Sequence, residues 1–290
     1  MPIPSPEIRR AVAPLLVQPA TTAIVTDFDG TLAPIVDDPA RARPVDGTAE
    51  VVGLLARRFG VAAVVSGRPA SFLWDMLGGA GRGAEASVET AGAGGRGRAP
   101  RLVGLYGLEW ARRDGSIALD PAAERWRSVV GDVAQRIRSD APPGVLVESK
   151  GVAVTVHWRR APEAAAWADA RVAAEAGRTG LVAHPGRMSL ELRPPLPVDK
   201  GTAIERLVTG CSAACYFGDD LGDLPAFGAL ARMSTVGGMA TVAVAVADDE
   251  TPSEVAEAAD VVVSGPRQAL ALLRWLAEAA SPSDGLNAPL

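Results

Sequence analysis

The run Thr22-Ala23-Ile24-Val25-Thr26 is apolar and β-branched from end to end, then stops abruptly at Asp27-Phe28-Asp29-Gly30. Side chains of a strand point alternately to opposite faces. Such a run therefore belongs in a sheet covered on both faces, as parallel sheets flanked by helices are. Apolar Val51, Leu54 and Leu55 predict a helix over 50–59, and Val61 to Val65 a second buried strand closed by Ser66-Gly67-Arg68. Strand, helix, strand in this order is the βαβ unit of a parallel α/β sheet.

The pattern does not run on unbroken. A strand is expected at 102–106. From about Asp120 helices are expected at 121–138 and 162–177, a hairpin from Val145–Glu148 and Val152–Trp158, and strands at 181–183 and 189–193. Hairpin strands with helices on one face predict an α+β insert, with Pro194, Pro195 and Pro197 as its exit hinge. The parallel pattern resumes with a helix at 201–208, strands at 214–217, 242–246 and 261–263, and a closing helix at 266–279. The expected fold class is α/β: a Rossmann-like parallel-sheet core of residues 1–117 and 196–290, with an inserted α+β cap domain at 118–195. The stretch 78–98 holds eight glycines in 21 residues and predicts a mobile loop. Little in it would repay the entropy of ordering.

Composition narrows the function. At 48% apolar and 22% charged residues the 290-residue chain is ordinary for a globular protein, which excludes wholesale disorder and a collagen-like fibre. A net charge of −5 gives no electrostatic case for nucleic acid or an anionic membrane, and 4% aromatics argue against a base-stacking surface. No apolar run approaches the ~18 residues of a membrane helix. Arg9 and Arg10 precede only a short apolar stretch that Pro14 interrupts, with no clear cleavage site after it. Cys211 and Cys215 make neither a zinc site nor a disulfide framework and are expected as buried thiols in a reducing compartment. A cytoplasmic enzyme is expected, with a monomer favoured and the oligomeric state left open.

Ligands of open α/β sheets bind at the carboxyl ends of the strands, where this sequence concentrates its chemistry. Asp27 and Asp29 repel each other unless a cation lies between them, Gly30 permits a tight turn, and Thr31 offers a hydroxyl. Ser66 is placed to donate to a phosphoryl oxygen, with Arg68 beside it. Lys200 opens a helix at the positive end of its dipole, a position that makes sense opposite a bound anion. Asp219, Asp220 and Asp223 form a second acidic cluster after a strand. Singly these are an Asx turn, an N-cap, a solvated lysine and a capped helix start. Together they point to a phosphate site with a cation.

Asp27-Phe28-Asp29-Gly30-Thr31-Leu32, Ser66, Lys200 and Gly218-Asp219-Asp220-x-x-Asp223 resemble, in order and strand placement, the four motifs of the haloacid dehalogenase (HAD) superfamily of phosphatases. The resemblance implies an aspartyl-phosphate intermediate on Asp27, with Asp29 as the acid and base. It implies Mg²⁺, a cation of hard oxygen ligands, held by Asp27, the Asp29 backbone carbonyl and Asp219, with Asp220 or Asp223 in support. Ser66 and Lys200 would hold the equatorial phosphoryl oxygens.

Within the superfamily the sequence is similar to the trehalose-6-phosphate phosphatases. Residues 27–35, Ser66-Gly67-Arg68, Glu148-Ser149-Lys150-Gly151 with His157-Trp158-Arg159, Gly186 to Pro194, and Asp199-Lys200-Gly201 carry that resemblance. It implies that Glu148 and Glu191 accept from sugar hydroxyls while Lys150, Arg159 and Arg187 donate, with Arg68 also in the substrate site. Closure of the cap would exclude water. Arg187 stands where the family usually has Lys, Tyr106 where His is common, and Gly222 and Leu224 where Thr and Glu are common. The 78–98 loop is longer than usual. Glu109 is expected to order the loop near the site through Arg68. The implied reaction is hydrolysis of trehalose 6-phosphate to trehalose and phosphate, the last step of trehalose biosynthesis. The rival readings are a related phosphatase of sucrose or mannosylglycerate phosphates and a non-catalytic trehalose-phosphate sensor. Intact Asp27, Asp29, Ser66, Lys200 and Asp219 argue against the sensor.

Overall fold

The structure is a computed structural model that describes residues 4–78, 99–248 and 251–280; the expected loop lies, from residue 79 on, outside them. In the first part of the chain come β1 (Thr22–Thr26), β2 (Val61–Val65), β3 (Arg101–Gly104), β4 (Glu109–Ala111) and β5 (Ile117–Leu119). Next are β6 (Leu146–Ser149), β7 (Val154–His157), β8 (Val182–Gly186) and β9 (Ser189–Arg193), then β10 (Ala213–Gly218), β11 (Ala240–Ala247) and β12 (Val261–Ser264). Eight of them form one sheet in the order β12-β11-β10-β1-β2-β3-β4-β5. It is parallel from β12 to β3 and antiparallel at the β4–β5 edge.

β1 sits between β10 and β2, and all its residues are buried. Ile24 packs in one core cluster with Val51, Leu55, Leu273 and Leu276 of the helices Thr48–Arg58 and Gly265–Ala279. Ala23 and Val25 pack on the other face with Ile204 and Leu207 of the helix Lys200–Leu207 and Phe227 and Leu230 of Leu224–Gly237. Two covered faces are the physical reason the strand is apolar throughout. Cys215 belongs to the first cluster, where burial pushes its thiol up to about 12. Among the described residues no helix is long and apolar enough to cross a membrane.

Two expectations at the edge of this sheet are corrected. β3 ends at Gly104 rather than at 106, because Leu105 and Tyr106 turn to positive φ, +48° and +63°. The helix expected over 121–138 is two, Pro121–Glu124 and Arg127–Asp140, joined where the Trp126 N–H donates to the Ala123 carbonyl.

β6 to β9 form a separate antiparallel sheet in the order β6-β7-β9-β8. Val147, Val154, Val156 and Leu192 pack with Val130, Val133 and Ile137 of Arg127–Asp140 and with Ala168 and Val172 of Ala165–Thr179. On the opposite face, register aligns Glu148, Thr155, Glu191 and His184 across the four strands. Thr155 and Glu191 are buried, so this polar face meets protein rather than open water.

Candidate active site

Because β1, β2, β3, β10 and β11 are parallel, the residues following them gather at one sheet edge. Asp27 follows β1, and its N–H donates to the Phe217 carbonyl at 2.8 Å. The residue is 4% exposed, with Oδ2 3.1 Å from Lys200 Nζ and Oδ1 buried without a hydrogen-bond partner. Gly30 closes the turn at φ +77°, where a Cβ would lie 2.0 Å from Asp219 Oδ2. Only glycine lets the β1 loop lie against that carboxylate. Thr31 Oγ1 donates to Asp219 Oδ1 at 3.1 Å.

Asp223 is the best satisfied carboxylate of the group. Its Oδ1 accepts from Lys200 Nζ and from the Tyr216 hydroxyl, both at 2.6 Å. Its Oδ2 accepts the N–H groups of Asp219 and Asp220 at 2.9 and 3.1 Å. One oxygen each of Asp27, Asp219 and Asp223 lies within 4.8 Å of the others. Burial drives Asp27 and Asp219 well above the usual carboxylate range, and neighbouring carboxylates add to it. Burial also works to raise Asp223, but the Lys200 ammonium and the Lys200 and Tyr216 hydrogen bonds outweigh it and hold Asp223 low. Lys200, which burial alone would lower, is held high by Asp223 and Asp27. A buried all-oxygen donor set, with uncompensated charge and one carboxylate oxygen lacking a partner, fits a hard divalent cation.

The other expected residues distribute around this cluster. Asp29 is half-buried and its carboxylate turns away to Arg68, which donates Nε to Oδ2 and Nη2 to Oδ1, both at 2.7 Å. Asp220 accepts the Gly222 N–H at 2.8 Å as a cap, so of the two supporting candidates Asp223 joins the cluster. Ser66 is buried, its Oγ accepting the Arg68 N–H at 3.2 Å. Arg68 Nη1 lies 3.8 Å from Glu148 of the second sheet. Glu109 does not act through Arg68: it accepts the Ala70 N–H at 2.8 Å, at the start of the helix Ala70–Leu77.

The second sheet brings its polar face to the same edge. Arg187 sits in the two-residue turn between β8 and β9, and Nη2 donates to Asp219 Oδ2 at 2.8 Å and to its carbonyl at 3.1 Å. Nε and Nη1 of Arg187 are buried without hydrogen-bond partners, while Nη1 is 3.6 Å from Asp248. Glu191 Oε1 accepts from Lys150 Nζ at 2.8 Å and Thr155 Oγ1 at 3.0 Å, and Oε2 accepts from Arg193 Nε at 2.5 Å. Burial opposes its charge, yet Lys150 and Arg193 hold Glu191 far below the usual range. Glu148 is also held low against burial, by the His157 hydrogen bond at 3.0 Å and by Lys150. Arg159 lines a cleft of about 370 Å³ with Pro34, Ile35, Asp37 and Asp248.

Sequence reasoning did not place Tyr216, Arg193 or Tyr106 in the site. Tyr216 lies inside an apolar strand and reads as core. Arg193 did carry a signal, since it is two residues from Glu191 on a strand and so shares its face.

Comparison with known proteins gives three kinds of match. A family model described as trehalose-phosphatase matches residues 25–87 and 104–263. A trehalose-phosphate phosphatase of Mycolicibacterium paratuberculosis is 34% identical over 218 residues, covering 72% of this chain and 51% of that protein. This chain thus spans about half the length of such curated relatives. The C-terminal domain of a Candida albicans trehalose-6-phosphate phosphatase superposes with TM-score 0.70 at 24% identity, over 92% of this chain and 98% of that one. A phosphatase of the haloalkanoate (HAD) superfamily from Bacteroides thetaiotaomicron shares the fold, with TM-score 0.51 and 15% identity over 89% and 94% of the two chains.

Proposed function

The chain belongs to the trehalose-phosphatase family, and from that premise we propose that it hydrolyses trehalose 6-phosphate to trehalose and inorganic phosphate, with Mg²⁺ as its cation and residues 118–195 as a cap. One observation carries the reading: the buried Asp27–Lys200–Asp219 group lies at the carboxyl edge of the parallel sheet, and the second sheet reaches this edge twice, through Glu148 on Arg68, which holds Asp29, and through Arg187 on Asp219.

Asp27 and Asp219 would hold the cation with the Asp29 carbonyl, and Asp223 would fix Lys200 beside them. When bound, the cation offsets the charge of the phosphoryl group. An Asp27 carboxylate oxygen forms a bond to phosphorus as the bond to the sugar oxygen breaks. Asp29 gives that oxygen its proton, then takes one from the water that cleaves the aspartyl phosphate, releasing phosphate and Asp27. This requires Asp29 to leave the Arg68 clamp, for which Glu148 is a second acceptor close by. Ser66, Lys200 and the open donors of Arg187 hold phosphoryl oxygens. Glu148, Lys150 and Arg159 address sugar hydroxyls. Glu191, with donors on both oxygens, acts chiefly by orienting Lys150.

Phosphate release from trehalose 6-phosphate with Mg²⁺, with and without chelator, tests the reading. Turnover lost on chelation and restored by Mg²⁺ is expected. Preference for sucrose or mannosylglycerate phosphate by about tenfold in kcat/KM, equal to ~1.4 kcal/mol, would sink the substrate assignment. Binding of trehalose 6-phosphate without turnover would favour a sensor.

A further inference from the structure

Tyr106 stands in a stretch of three consecutive positive-φ residues, Leu105 at +48°, Tyr106 at +63° and Gly107 at +122°. Two residues with side chains in that region are strained, and such strain persists only where surrounding contacts over-determine it. Here the contacts run in two directions. Toward the parallel sheet, the Tyr106 N–H donates to the Ser66 carbonyl at 2.9 Å and the Leu105 N–H to the Arg68 carbonyl at 3.0 Å. A Cβ on Gly67 would lie 2.4 Å from the Tyr106 hydroxyl, so the side chain rests directly on the Ser66–Arg68 turn. Toward the second sheet, the Arg193 guanidinium lies 3.3 Å from the ring centroid, a cation–π contact. The Tyr106 hydroxyl faces the Glu191 carboxylate, whose charge helps to hold the phenol protonated. Glu191 in turn holds Lys150 at 2.8 Å.

One side chain thus touches both halves of the site. We propose that Tyr106 is a positioning residue that ties the Ser66–Arg68 turn to the Glu191–Lys150–Arg193 cluster. It sets the distance between the phosphate end and the sugar end of a single ligand. Its hydroxyl gives Glu191 a donor besides Lys150, Thr155 and Arg193, which fixes the carboxylate and with it the Lys150 ammonium. The proposal rests on the sugar-phosphate reading of the site and adds to it the residue that couples the two ends.

Tyr106→Phe keeps the ring over Gly67 and removes the donor to Glu191; Tyr106→Leu removes both the donor and the stack. Hydrogen bonds to charged groups carry about ten- to a hundredfold in an equilibrium. For Tyr106→Phe, kcat/KM on trehalose 6-phosphate is therefore expected to fall about tenfold, mostly through KM. The loss on p-nitrophenyl phosphate, which has no sugar to position, should be several times smaller. Tyr106→His, which restores a ring donor, should recover part of the lost affinity. Equal factors on both substrates, or unchanged kinetics on trehalose 6-phosphate, would overturn the proposal. Amide exchange across 189–193 supplies a readout without substrate: faster exchange in Tyr106→Phe supports the tie and unchanged exchange refutes it. Should wild type release no phosphate from trehalose 6-phosphate while exchange still quickens in Tyr106→Phe, the substrate reading fails and the tie stands. If Tyr106→Leu loses its thermal transition, the Tyr106→Phe measurements decide alone.

Discussion

Asp27 and Asp223 share Lys200, yet the protein treats their charges in opposite ways. Asp223 accepts four hydrogen bonds and is held as a carboxylate. Asp27 keeps one buried oxygen without a partner and is pushed toward its protonated form. The two conservative amides should therefore behave differently. Asp27→Asn removes a costly buried charge at constant shape, so turnover should vanish while the cation-free Tm stays at or above that of wild type. Asp223→Asn leaves Lys200 without its nearer acceptor and sets an amide against donors, and breaking a buried pair costs about 3–5 kcal/mol. Thermal unfolding followed by circular dichroism, beside phosphate release, separates the two; equal destabilisation would contradict this division. Asp27, Ser66 and Asp219 were legible as strand-end residues, because a buried parallel strand has few places for a polar side chain, and Lys200 as a cation at the start of a helix. The choice of Asp223 over Asp220 was not legible. It depends on the Tyr216 hydroxyl, two residues before the strand's end, and spacing alone does not say which carboxylate that hydroxyl meets.

At the scale of elements, two-sided burial made β1 and β2 readable to the residue, since an apolar run flanked by turn residues has sharp ends. β4 and β5, three half-buried residues each, are too short to show a period. The positive φ values of Leu105 and Tyr106 were invisible because glycine, the usual marker of that region, comes only at Gly107. Glu109 illustrates how one such short element serves a neighbour. Pro69, at the N-cap of Ala70–Leu77, has no side chain to satisfy a helix donor, and Glu109 from β4 reaches across to the Ala70 N–H. Burial raises the Glu109 carboxyl while that backbone bond opposes the shift. Glu109→Ala should cost about 1 kcal/mol, the usual value of a lost cap, read as a lower urea midpoint at unchanged m. Glu109→Gln, which keeps an acceptor oxygen, should recover most of it. A stability loss as large in Gln as in Ala would mean that the charge, not the cap, is what the helix uses.

The whole molecule closes two sheets over a carboxylate cluster, and that has a consequence for how pH and cation act on folding. Asp27 and Asp219 have folded-state pKa values above the ordinary carboxylate range of about 4. Between the ordinary value and the raised one the folded state binds more protons than the unfolded, so these two groups lower stability as pH rises through that interval. Glu191 and Asp223 are shifted the other way. Their contribution is present above the ordinary value and is lost only as pH falls below it, so the two effects occupy different pH windows. A divalent cation needs the deprotonated carboxylates and releases protons as it binds. Mg²⁺ should therefore raise Tm clearly at pH 8, by an amount corresponding to about 2.7 kcal/mol at a hundred times Kd, and by much less at pH 5. In Asp27→Asn the cation-free Tm should gain on wild type as pH rises, and the Mg²⁺ response should shrink at pH 8. A Mg²⁺ response equal at the two pH values, or undiminished in Asp27→Asn, would show that the ion binds elsewhere.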